Sequence, residues 1–117
     1  MKYVLGGLIA LAAAGSAEAS ALVCKGVFFT KAEGPMQIEV TITLDDAKTK
    51  ARMPSDVGWV EGPLALAPDR YTGRLTSKDE TVRFLTLERY TGDMLLEDRE
   101  SSRVIYQANC KAAEARF

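Results

Sequence analysis

Histidine is absent from this chain, tryptophan occurs once, cysteine twice and proline four times in 117 residues. Without histidine there is no ordinary general base for neutral pH, no Ser-His or Cys-His nucleophile pair, and none of the commonest transition-metal ligand. Charge of one sign is also lacking. Lys and Arg number 15 against 16 Asp and Glu, a net charge of -1, so nothing draws the chain as a whole toward nucleic acid or an anionic membrane. Phosphate-cradling glycine loops, zinc-ligand spacings and nucleophile elbows do not occur. These absences exclude most familiar hydrolase chemistries and point to no metal and no cofactor.

What is present begins with an address. Met1-Lys2 supplies a positive charge, Val4 to Ala14 is nearly all apolar, and Ala17-Glu18-Ala19 or Ala19-Ser20-Ala21 offers small residues for cleavage. This is the pattern of a secretory signal peptide. The apolar run falls short of the roughly 20 residues that span a bilayer as a helix, so no permanent membrane anchor is expected. Residues 1–19 are therefore read as the signal and 20–117 as a single domain, with cleavage after Ala19 or Ala21. The expected location is periplasmic or secreted.

Export sends Cys24 and Cys110 to an oxidising compartment, where two thiols with no further metal ligands are expected to form one disulfide. The bridge joins positions 86 apart, and the chain-entropy account of such a closure gives about 4–5 kcal/mol.

The mature sequence reads as antiparallel strands. Gln37 to Leu44 alternates strictly, with Ile38, Val40, Ile42 and Leu44 on one face. After Asp45-Asp46 the alternation resumes from Lys48 to Met53, which predicts a hairpin with Leu44 opposite Thr49, Thr43 opposite Lys50 and Thr41 opposite Arg52. In the last strand Val104, Tyr106, Ala108 and Cys110 are expected to point inward. Further strands are read at Arg74–Ser77, Thr81–Leu87 and Met94–Glu97. Three prolines and two glycines between Pro54 and Pro68 predict a loop with at most a short strand around Trp59. Lys111 to Arg116 reads as a tail, with Phe117 against one barrel end. The expected fold is all-β, an antiparallel meander of about seven or eight strands forming a small barrel or flattened sandwich, with its terminal strands joined by the disulfide.

One string repeats: Asp69-Arg70-Tyr71-Thr72-Gly73 returns as Glu88-Arg89-Tyr90-Thr91-Gly92. Both copies are read as turns, since Gly suits the left-handed position after such a turn. Alternate turns of a meander share an edge, which places Arg70, Tyr71, Arg89 and Tyr90 on one rim about 10 Å apart, together with Cys110 and the Asp45-Asp46 turn. Tyr and Arg are common anchors of recognition surfaces. Trp59 is either a stacking platform for a sugar ring or a plug closing one end of the core, the plug being favoured. Asp45-Asp46 is read as a turn rather than a Ca²⁺ loop, and Lys48, Lys50 and Arg52 as a charged wet face.

Cys24-Lys25-Gly26, Arg89-Tyr90-Thr91-Gly92 and the Cys110 to Phe117 ending resemble small exported bacterial β-proteins of unassigned function, in which a Cys-x-Gly opening, an Arg-x-Thr-Gly turn and a late Cys before a terminal Phe frame the domain. The resemblance implies an envelope protein and no activity. A looser likeness is to periplasmic lysozyme inhibitors, whose Ser-Gly-x-x-Tyr loop has no counterpart here. The functional expectation is a non-catalytic envelope module that binds a protein, a glycan or an anionic ligand on its Tyr/Arg rim. The alternatives are a structural accessory without a small ligand, or a lysozyme-inhibitor-like protein.

Overall fold

The computed structural model describes residues 20–30, 34–45 and 47–113; residues 1–19, read above as a signal, and Phe117 lie outside them. Eight antiparallel strands run in sequence order round a closed barrel: β1 (Ser20–Thr30), β2 (Gly34–Leu44), β3 (Lys50–Ser55), β4 (Gly58–Leu66), β5 (Arg70–Ser77), β6 (Val82–Glu88), β7 (Asp93–Asp98) and β8 (Arg103–Ala112). β8 returns to pair with β1 from Leu22↔Ala112 to Phe28↔Tyr106, which seats Cys24 directly opposite Cys110. Their sulfurs are bonded at 2.05 Å. The barrel, rather than the sandwich, is thus the fold, and the terminal strands are neighbours as the sequence implies.

Eight strands enclose a space just wide enough for side chains to fill. The inward rows fill it: Ile42, Met53, Val60, Leu75, Leu85, Leu96 and Tyr106 are all buried. The Tyr106 hydroxyl is satisfied inside, donating to the carbonyls of Cys24 (3.0 Å) and Ile38 (2.8 Å). Burial and the nearby Glu39 carboxylate raise its pKa above the ordinary phenol value.

Four local expectations are corrected. The β2–β3 hairpin pairs Thr43 with Arg52 and Leu44 with Ala51, two residues out of the expected register. The Asp45 carboxylate causes the slip by accepting from the Thr49 N–H (2.6 Å), the Thr49 hydroxyl (2.8 Å) and the Lys50 N–H (3.1 Å), which stretches the turn while Lys48 takes φ 58°. A slip of two keeps every side chain on its expected face. In β8 a bulge opposite Leu96 and Glu97 makes Ile105 the inward residue in place of Val104, while Tyr106 and Cys110 stay inside. The expected tail is strand as far as Ala112, paired with Leu22.

The fourth correction concerns the proline-rich stretch, which is no loop. β4 runs nine residues through Gly62 and Pro63. Gly62 is there because the neighbouring strand comes too close for a side chain: a Cβ would sit 2.3 Å from the Arg74 carbonyl oxygen. Glycine and proline here mark a tight strand crossing, not a break.

Candidate functional site

The meander sorts its turns to two ends. The β2–β3, β4–β5 and β6–β7 turns and the ends of β1 and β8 that flank the disulfide share one end; the β3–β4, β5–β6 and β7–β8 turns share the other. Arg70, Tyr71, Arg89 and Tyr90 all lie at the disulfide end, as do Cys110 and the Asp45 turn.

The two copies of the repeat differ in structure. Arg89 to Gly92 is the β6–β7 turn, with Gly92 at φ +81° and its N–H donating to the Glu88 carbonyl at 3.0 Å. Arg70 to Gly73 is the opening of β5, extended and paired with β6. The first copy is therefore not a turn, and the copies are adjacent rather than two strands apart: Arg70 pairs with Glu88, and the Arg89 N–H donates to the Asp69 carbonyl at 2.9 Å. Sequence identity does not fix conformation here, because Ala67 to Asp69 already completes the preceding turn, closed by the Ala67 N–H donating to the Arg70 carbonyl at 2.9 Å.

This adjacency builds a small constellation. The Arg89 guanidinium lies over the Tyr71 ring, 5.0 Å from its centroid, and donates to the carbonyls of Ala67 (3.1 Å) and Pro68 (3.3 Å). Those contacts fix its position without neutralising its charge. Arg70 instead spends its charge on Asp69 (3.3 Å) and Glu88 (3.9 Å). Tyr90 projects from the turn tip, 85% exposed.

Inside this rim lies a cavity of about 370 Å³, floored by Leu22, Leu44, Leu87 and Cys110 and edged by Lys48, Tyr71, Arg89 and Glu88. The floor is apolar because the inward rows of β1, β2 and β6 end there. The edge is cationic, since Lys48 and Arg89 have no carboxylate partner among the described residues and Glu88 is engaged by Arg70. Lys48 is brought to the mouth by the same left-handed turn that shifts the hairpin register.

Trp59 is placed elsewhere. It stands on the outer face of β4 near the opposite end, 53% exposed, with the Arg52 guanidinium 4.3 Å from its ring centroid. It does not plug the core; inward Val60 takes the buried position beside it. Lys50 pairs with Glu61 at 3.8 Å, so the basic stripe is divided among three different partners and surroundings.

The opposite end holds a feature that sequence reasoning missed. Arg83 is buried inside the barrel, donating through Nε (2.9 Å) and Nη2 (2.8 Å) to the two carboxylate oxygens of Asp56, with Arg103 also donating to Asp56 at 3.3 Å. Burial pushes the Asp56 carboxyl up, but the two arginines outweigh it and hold the pKa below the ordinary carboxylate range. Asp56 in turn raises that of Arg83. The signal was available in the alternation, since Arg83 shares the parity of Leu85 and Leu87. Ser77, also buried, donates to Asp79 and accepts from the Thr81 N–H (3.1 Å), closing the adjoining turn. Comparison with known proteins found no family profile, curated sequence or solved structure that matches the chain.

Proposed function

We propose that the protein is an exported, non-catalytic binding module of the bacterial envelope, whose mouth at the disulfide end takes an anionic ligand carrying a short apolar group. The observation that carries this reading is the pairing of an apolar floor (Leu22, Leu44, Leu87) with two cations at its edge, Lys48 and Arg89, that have no carboxylate partner among the described residues. A ligand with both parts satisfies both surfaces, whereas a neutral or purely polar one satisfies only one. The volume sits at the small end of ligand-binding cavities and suits a group of modest size. The disulfide fits an oxidising compartment, and the signal-like leader narrows this to the periplasm or the exterior.

Non-catalysis is supported by the carboxylates. Glu39, Glu61 and Asp69 have side chains 57%, 51% and 58% exposed and do not line the mouth; Glu88, 37% exposed, stands at its edge engaged by Arg70, with no second carboxylate among the described residues lining the cavity to pair with it as acid and base.

Titration of the exported protein with octanoate and with octanol separates the parts. Octanoate is expected to shift the methyl resonances of Leu22, Leu44 and Leu87, octanol to do so more weakly, and Arg89→Ala to weaken octanoate alone. Equal binding of both, or of neither, would remove the anionic reading. A second reading rests on Tyr90 and Leu66, 85% and 51% exposed at this same end, which suit a protein partner. It predicts that Tyr90→Ala abolishes co-purification of an envelope protein while leaving octanoate binding untouched.

A further inference from the structure

β2 is 11 residues long yet meets β3 over only two pairs, Thr43↔Arg52 and Leu44↔Ala51. Hydrogen-bonded pairs alternate along an antiparallel ladder. The Asp45 N–H donates to the Lys50 carbonyl at 3.2 Å, so the next bonded pair is Thr43 with Arg52, and the one after it sets Thr41 opposite Pro54. Pro54 has no N–H to give, and the ladder ends.

Above that point one edge of β2 is open. Its even-numbered residues direct their backbone groups toward β1, to which they stay paired up to Gly34. The odd-numbered Gln37, Glu39 and Thr41 direct theirs the other way, where no strand among the described residues pairs with them. The side chains tell the same story. Met36 and Ile38 continue the inward row of Val40 and Ile42, yet each is 42% exposed, because none of the described residues covers that flank. An uncovered strand edge beside exposed apolar side chains is a template for another strand.

We propose that this edge pairs antiparallel with the same edge of a second copy, about a two-fold axis passing between the two Ile38 residues. A two-fold interface must be complementary to itself, and the sequence meets that condition in one register. Centring on Ile38 places Gln37 opposite Glu39 of the second copy, where each exchanges both backbone bonds, and Pro35 opposite Thr41, where the proline carbonyl accepts. Met36, Ile38 and Val40 then meet Val40, Ile38 and Met36 across the axis, covering the exposed pair. Centring on Glu39 would set two carboxylates face to face, and centring on Gln37 would set Pro35, which lacks a donor, against Glu39 on both sides of the axis. That leaves one fully bonded pair, where the Ile38 register has two and moves Pro35 to the ends. Charge and proline together choose the register.

Sedimentation equilibrium of the disulfide-intact exported chain from about 1 to 300 µM is the test, a range matching a weak to moderate dimer. A concentration-dependent dimer is expected. Ile38→Lys, which places like charges on the axis, is expected to leave a monomer with an unchanged far-ultraviolet circular dichroism spectrum. Gln37→Lys gains an opposite charge against Glu39 and is expected to tighten the dimer; Gln37→Glu gains a like charge and loosens it, the two differing by roughly tenfold in Kd. A chain monomeric throughout that range overturns the proposal, as does a dimer indifferent to Ile38→Lys, or one in which the two Gln37 variants fall in the reverse order.

Discussion

Arg83 and Asp56, 27 positions apart in the chain, are joined by two parallel hydrogen bonds of 2.9 and 2.8 Å inside the barrel end that faces away from the disulfide. The Arg83 side chain is 6% exposed, and its charge is compensated chiefly by Asp56 at 2.8 Å, with Asp98 further off at 3.8 Å. Removing Asp56 leaves Arg83 buried with only the longer Asp98 contact to offset its charge. Asp56→Asn is expected to lower stability by about 3 kcal/mol, toward the lower end of the range for buried pairs because the Asp56 side chain keeps 18% exposure. In a domain of this size that is a fall of more than about 10 °C in Tm by thermal circular dichroism. Adding Arg83→Met to Asp56→Asn is expected to recover most of the loss, since it removes the orphaned charge.

The same pair predicts an acid limb in stability. The folded Asp56 carboxyl has a pKa below its ordinary value, held there by Arg83 and Arg103 against the opposing effect of burial. The unfolded chain therefore takes up the proton first. The stabilisation is fully present above the unfolded value of about 4 and declines as pH falls through it toward the lower folded value. Urea unfolding between pH 6 and pH 2.5 is expected to show this decline, and Asp56→Asn to make it shallower, with Asp45, Asp79 and Asp98, whose carboxyls are also held below their ordinary values by hydrogen bonds, keeping the remainder.

Much of this architecture could be read from period-two alternation, and the misreadings are those that alternation cannot see. Val40, Ile42, Leu44, Tyr106 and Cys110 face inward because strand parity requires it. The two-residue slip of the β2–β3 hairpin preserves parity, so only the Asp45 cap reveals it. The bulge at Ile105 breaks parity locally, with no mark in composition. The position of Trp59 escapes the pattern because glycine and proline ordinarily break strands, whereas Gly62 here permits a close strand approach. Of the candidate site, the shared end of Arg70, Tyr71, Arg89 and Tyr90 followed from counting strands. The contribution of Lys48 did not, since it depends on a left-handed residue in a turn longer than expected.

The Cys24–Cys110 bond spans 86 positions and ties the two strands whose pairing closes the barrel. On the chain-entropy account, losing it frees about 4–5 kcal/mol of unfolded-state restraint, comparable with the whole stability of a small domain. Replacing both cysteines with alanine is expected to lower the urea midpoint sharply and to speed amide exchange first along β1 and β8. Uniform exchange across all eight strands would show the restraint to be global rather than seated at the closure.

The repeated string supplies an internal control, because its two glycines do different work. Gly92 sits at φ +81°, and a Cβ there would meet the Cys110 carbonyl oxygen at 2.4 Å, a backbone atom of the adjoining strand that cannot step aside. Gly73 is extended, and its added Cβ would meet the Leu64 Cδ2 at 2.8 Å, the far end of a side chain that can rotate, with the Pro63 carbonyl further off at 3.2 Å. Gly92→Ala carries both conformational strain and a backbone clash, and is expected to cost more than about 2 kcal/mol. Gly73→Ala is expected to cost about 1 kcal/mol of repacking. Chemical denaturation of the two variants measures the difference, and equal costs would mean that the two copies share one conformation after all. Because the Cys110 N–H also donates to the Gly92 carbonyl at 2.8 Å, the Gly92 variant is expected to disturb the mouth directly, weakening octanoate binding where the Gly73 variant leaves it intact.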